Sequence, residues 1–63
     1  MDLSELKEAL KRNIPVIYGG AQYARVSAII FRKEGSKIRV QAELLDKNKN
    51  SVVICDAGKV EKI

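Results

Sequence analysis

The sequence predicts a small, mainly β domain preceded by one short helix. Three observations predict it. The stretch Lys37-Ile38-Arg39-Val40-Gln41-Ala42-Glu43-Leu44 alternates polar with apolar almost without error, which is the period of a strand with one wet face. Gly19-Gly20 and Lys33-Glu34-Gly35-Ser36 separate runs dense in β-branched and aromatic residues, as hairpin turns do. The chain has 63 residues, enough for one domain that buries only about 60% of the surface its unfolded chain exposes.

The helix comes first. Met1-Asp2-Leu3-Ser4-Glu5-Leu6 reads as a helix start, with Asp2 able to cap, Glu5 completing a capping box and Met1 set to staple against Leu6. Leu3, Leu6, Ala9 and Leu10 form one apolar stripe, and Lys11 and Arg12 suit the negative end of the helix dipole. Asn13 and Pro15 end the helix, because proline pushes the residue before it into an extended conformation.

Five strands follow. Ile14 to Tyr18 is a short first strand, and Gln22 to Arg32 forms a hairpin with it across Gly19-Gly20. The run from Lys37 to Leu44 is the third strand. Asp46-Lys47-Asn48-Lys49-Asn50 is a polar turn leading to a fourth strand, Ser51 to Cys55. A tight connector at Asp56-Ala57-Gly58 leads to a brief fifth strand, Lys59 to Ile63.

This order, with a possible 3₁₀ turn between the last two strands, resembles a five-stranded SH3-like barrel. The resemblance implies one domain, in which helix 1–13 packs on barrel 14–63. Within it, Ile17-Tyr18-Gly19-Gly20, Tyr23, Val26-Ser27-Ala28-Ile29-Ile30, Gln41-Ala42-Glu43-Leu44-Leu45-Asp46 and Asn50-Ser51-Val52 look similar to small uncharacterised proteins carried by prophages and other mobile elements of Gram-positive bacteria. The chain departs from the signalling SH3 domains, since it has neither a Trp nor an Ala-Leu-Tyr-Asp-Tyr motif. Polyproline binding is therefore not expected.

Composition narrows the chemistry. There is one cysteine, Cys55, and no histidine, which removes an intrachain disulfide and the common Cys/His zinc arrangements. Cys55 lies in the apolar run Val52-Val53-Ile54-Cys55 and reads as a buried strand residue. Without histidine, acid–base candidates reduce to Glu34, Glu43, Asp46, Asp56 and Glu61. Glu34, Asp46 and Asp56 fall in turns or at strand ends, where they bond their own backbone or face water. The turn Asp46 to Asn50 matches the first half of a calcium loop, but Ser51 and Ala57 stand where such a loop needs glycine and glutamate. Gly19-Gly20 lacks the lysine and following helix of a phosphate loop. No enzymatic activity, cofactor or metal is expected.

No run approaches the roughly 20 apolar residues that cross a bilayer, and Asp2 and Glu5 replace the basic start of a signal peptide. A cytoplasmic protein with no membrane partner is the expectation.

The surface of most promise is the central hairpin, Tyr23 to Leu45. The whole chain carries a net charge of +4 from twelve Lys and Arg against eight Asp and Glu. Most of that excess lies here, where Arg25, Arg32, Lys33, Lys37 and Arg39 face only Glu34 and Glu43. A three-residue loop would place Ile30 opposite Val40, Ala28 opposite Ala42 and Val26 opposite Leu44, leaving Arg25, Ser27, Ile29 and Phe31 on an outer face beside Arg39, Gln41 and Glu43. An even loop would put Ile29 and Phe31 on the core side, and a bulge would reconcile both. The preferred reading covers Ile29 and Phe31 with Leu3, Leu6 and Leu10 of the helix.

Two functions remain open. The first is a protein-interaction or self-association module using Tyr18, Tyr23, Arg25, Ile29, Phe31, Arg32, Lys37 and Arg39. The second is a nucleic-acid binder, with phosphates on the hairpin's basic residues and a base stacked on Tyr18 or Tyr23.

Overall fold

A computed structural model describes residues 1–63. Helix α1 spans Leu3–Arg12. The strands are β1 Val16–Tyr18, β2 Ala21–Tyr23, β3 Arg25–Glu34, β4 Lys37–Leu45, β5 Val52–Asp56 and β6 Glu61–Lys62, with a 3₁₀ turn at Ala57–Lys59 before β6.

The helix starts as its capping chemistry dictates. The Asp2 carboxylate accepts from the Glu5 backbone N–H at 2.8 Å, and Glu5 Oε1 accepts from the Asp2 N–H at 3.2 Å. At the other end Asn13 adopts the left-handed conformation, φ 53°, which short polar side chains tolerate. Asp2→Ala is expected to lower unfolding stability by about 1 kcal/mol, the ordinary worth of an N-cap, read as a shift in the urea midpoint.

The strands do not close a barrel. They form two three-stranded sheets, one in the order β2-β1-β6 and the other β3-β4-β5, and this overturns the expected five-stranded SH3-like barrel. Closure needs ladders that continue round the whole circumference. Here β1 and β2 pair over three residues and β6 supplies two, too few to reach the neighbouring sheet. There are also six strands rather than five, because the expected second strand breaks at Ala24. Tyr23 pairs with Val16 in the first sheet, and the Ala24 N–H already donates to the Leu45 carbonyl of the second at 2.8 Å.

The β1–β2 and β3–β4 turns each have two residues. Gly19 and Gly20 take φ of 60° and 78°, a pair of left-handed positions that suits the type I′ hairpin. Gly35 has φ 61°, and Ser36 is not among the positive-φ residues, the pattern of a type II′ turn. The even loop at Gly35-Ser36 sets the register of β3 and β4. Phe31 lies opposite Val40 and Ile29 opposite Ala42, and a bulge between Val26 and Ala28 then brings Val26 opposite Leu44. The pairings of Ile30 with Val40 and Ala28 with Ala42 do not form, whereas that of Val26 with Leu44 does. Ile29 and Phe31 therefore share the core-side face of Ala42 and Val40.

The core lies between the helix and the two sheets. Leu6, Ala9, Val16, Val26, Ala42, Leu44, Cys55, Ala57 and Val60 are buried, with Met1, Leu10, Tyr18, Tyr23, Ile29 and Val40 packed around them. No polar or charged side chain is buried.

One ion pair ties the helix to the last strand, between Glu5 and Lys62. The Lys62 ammonium, followed by the Asp2 backbone N–H, holds the Glu5 carboxyl below its ordinary value of 4.5, and Glu5 raises Lys62 above 10.5. Glu5 has the lower pKa when folded, so its stabilising share is present above 4.5 and is lost as pH falls through the folded value. Lys62 has the higher pKa when folded, so its share is present below 10.5 and disappears as pH rises through the folded value. Glu5→Gln is expected to flatten the acid limb of a Tm-against-pH curve below pH 4.5 and the alkaline limb above 10.5. Lys62 is exposed and Glu5 only half-buried, so the difference in Tm should be small and should shrink with salt.

Candidate interaction surface

β3 and β4 outrun everything that packs on them. Ten strand residues extend about 33 Å, whereas a ten-residue helix covers about 15 Å; the molecule accordingly measures 37 × 22 × 20 Å. The helix packs on β3 near the base of the hairpin, where Val26 is buried and Ile29 half-buried. β5 pairs with β4 only over Gln41–Leu45. Beyond those contacts the two strands run on as a ribbon in which every residue from Phe31 to Arg39 is exposed.

Phe31 is 56% exposed and Ile38 67%. The preferred cover of Phe31 by the helix therefore does not form: the helix stops short of it, although Ile29 packs against the core as expected. Phe31 pairs with Val40 and Ile38 with Lys33. All four side chains share the ribbon's core-side face, because opposite residues point the same way. The other face carries Arg32 opposite Arg39 and Glu34 opposite Lys37. Glu34 and Arg39 form an exposed ion pair at 3.4 Å, and Arg32 Nε donates to Gln41 Oε1 at 2.6 Å. Lys33 and Lys37 have no carboxylate partner.

Both edges of the ribbon are open. β3 is the outermost strand of its sheet, and β4 lacks a β5 partner at Lys37–Val40. In a two-residue hairpin the pair flanking the turn exchanges its hydrogen bonds, and bonded and non-bonded pairs then alternate. Glu34 and Lys37 flank the turn, so the peptide groups of Phe31 and Lys33 point out along the free edge of β3. No backbone hydrogen bond outside the ladder reaches them.

The expected site residues separate into three places. Phe31, Arg32, Lys37 and Arg39 come together on the ribbon. Arg25 lies at the base of β3 opposite Leu45, and Ile29 belongs to the edge of the core. Tyr18 and Tyr23 lie in the other sheet, half-buried against the core with ring centroids 6.3 Å apart. Sequence reasoning missed Ile38, which shares the core-side face of Val40 and Ala42 but lies where the ribbon has outrun its cover.

Of the five candidate carboxylates, Glu34, Glu43, Asp46 and Asp56 are engaged in turns and pairs, and Glu61 has no partner. Asp46 Oδ1 accepts from the Asn48 and Lys49 N–H groups and Asp46 Oδ2 from the Ser51 hydroxyl. These bonds organise the turn in which Lys49 takes φ 60°. Asp56 accepts from Gly58 N–H at 3.0 Å and starts the 3₁₀ turn, and Glu43 accepts from the Ser27 hydroxyl at 2.8 Å. Cys55 is buried, and burial, with the nearby Asp56 charge, raises its thiol above the ordinary value of 9.0, the direction away from a reactive thiolate.

Two shallow grooves flank the helix. One, of about 390 Å³, lies between the helix start and the ribbon, with Met1, Leu3, Ile38 and Val40 on its apolar side. The other, of about 540 Å³, runs between Ala9, Ile14, Pro15 and Ile63 beside the Glu5–Lys62 pair. No helix is long and apolar enough to cross a membrane.

No family model matches the chain, and no curated protein and no solved structure matches it. The expected similarity to prophage-borne proteins is shown by none of these comparisons.

Proposed function

We propose that this chain is a non-catalytic binding module whose protein partner docks on the β3–β4 ribbon. One observation carries the reading: nine consecutive exposed residues, Phe31 to Arg39, present two large apolar side chains between unpaired strand edges. Exposed apolar residues scattered singly are ordinary on protein surfaces. Phe31 and Ile38 instead share one face of a projecting ribbon, and open edges are features that proteins otherwise cover or blunt.

The test is a photo-crosslinking amino acid placed at position 31 and, as a control, at the exposed helix position 8, in the cells that make the protein. A protein adduct at position 31 that is absent at position 8 and lost in the Ile38→Ser background supports the module. Equal labelling at both positions, or an adduct that survives Ile38→Ser, overturns it.

A second reading, nucleic-acid binding, draws on Arg32 standing opposite Arg39 with Lys33 and Lys37 nearby. Two-stranded ribbons fit the major groove of a duplex. It predicts affinity that falls steeply with salt. The tyrosines offer it little, because they pack on the core at the other sheet.

A further inference from the structure

We infer that the partner is an extended acidic segment that adds as an antiparallel strand to the open edge of β3. Its residues facing Lys33 and Arg32 are acidic, and those facing Phe31 and Ile30 are branched and apolar. The inference rests on the module reading above and narrows it to one edge and one chemistry.

The argument begins with the backbone. The peptide groups of Phe31 and Lys33 point outward with no partner in the chain, so an added strand finds donors and acceptors already aligned, as in strand-addition recognition. Side-chain direction sets the rest. Successive residues of β3 project to opposite faces, so a neighbouring strand must suit both. On the core-side face it meets Phe31 and then Lys33, and on the other face Ile30 and then Arg32. The apolar pair precedes the basic pair along β3, so an antiparallel partner reads acidic-acidic-apolar-apolar.

Charge selects this occupant over a second copy of the chain. Between Phe31 and Val40 the ribbon carries Arg32, Lys33, Lys37 and Arg39 against Glu34 alone. Arg32 and Arg39 stand directly opposite each other, an arrangement of like charges that disfavours the sheet. Glu34 engages Arg39, while Arg32 bonds only the neutral Gln41. A carboxylate beside Arg32 relieves that repulsion; another copy of the same ribbon adds to it.

The probe is a fluorescein-labelled peptide with central sequence Glu-Glu-Val-Val, followed by anisotropy and by hydrogen exchange of the protein's amides. Controls are the Lys-Lys-Val-Val peptide, a Glu-Glu-Val-Val peptide N-methylated on the bonding amides, and a labelled oligonucleotide. Saturable binding is expected, with slowed exchange at Phe31 and Lys33 and a loss of about tenfold or more on charge reversal or N-methylation. The Arg32→Glu/Lys33→Glu double variant changes only exposed side chains, and its fold is checked by circular dichroism. It should reverse the preference toward Lys-Lys-Val-Val.

Undiminished binding of the N-methylated peptide, or unchanged exchange at Phe31 and Lys33, overturns strand addition and leaves the module standing. Failure of every peptide while the position-31 adduct persists in cells also removes this inference alone. Binding of the oligonucleotide without any peptide, and with no protein adduct at position 31, removes the inference and the module together.

Discussion

Leu44→Ala is expected to cost about 2–5 kcal/mol, the range for deleting a fully buried leucine from a core. Leu44 is fully buried on β4, opposite Val26 of β3 and Val53 of β5, so the cavity opens at the middle of its sheet. A domain of this size has roughly 3–9 kcal/mol in total on a per-residue scale. The variant should therefore populate its unfolded state without denaturant, and the urea midpoint should fall sharply at nearly constant slope. Ile54→Ala is the control, because Ile54 lies on the same sheet but is 48% exposed, and truncation there leaves no enclosed cavity. A loss at Ile54 equal to that at Leu44 would mean that the outer face is covered in solution.

Leu6→Ala should be nearly as damaging, for a different reason. The helix has ten residues, and an isolated helix shorter than about 12–15 residues is marginal in water even with good caps. Its persistence depends on Leu6 and Ala9, the two helix residues buried in the core. Truncating Leu6 removes most of that anchorage at a cost of about 2–5 kcal/mol. If helix and sheets share one core, the helical circular dichroism and the amide protection of β3 and β4 are lost in a single transition. Loss of the helix signal at lower denaturant, with the strands still protected, would show instead that the sheets stand alone.

The ribbon should tolerate what the core does not. Phe31 and Ile38 are both more than half exposed, so substitutions there are expected to shift stability by about 0.5 kcal/mol rather than by a core residue's cost. Any binding defect they cause can then be read as a defect of the surface.

Much was legible in the chain itself where the physics is local. The capping box at Asp2 and Glu5, the helix end at Asn13, the paired glycines and the Asp46 turn each depend on residues a few positions apart. Their geometry follows from those residues whatever the rest of the molecule does. The alternation from Lys37 to Leu44 likewise announced a strand, and the concentration of Arg and Lys on the central hairpin is a property of the sequence alone.

What tertiary structure decided was everything that depends on how far one element reaches past another. Barrel closure failed because β1, β2 and β6 are too short to carry a ladder round, a matter of strand length and of the sheet change at Ala24. The face occupied by Ile29 and Phe31 hung on one residue of loop length, because a shift of one residue exchanges the faces of a strand. Even with that face known, whether Phe31 is core or surface depended on a helix of about 15 Å lying on a strand of about 33 Å. Local pattern determines which residues prefer burial; only the packed lengths of the elements determine which of the ribbon's core-side residues are left without a cover, Phe31 and Ile38 among them.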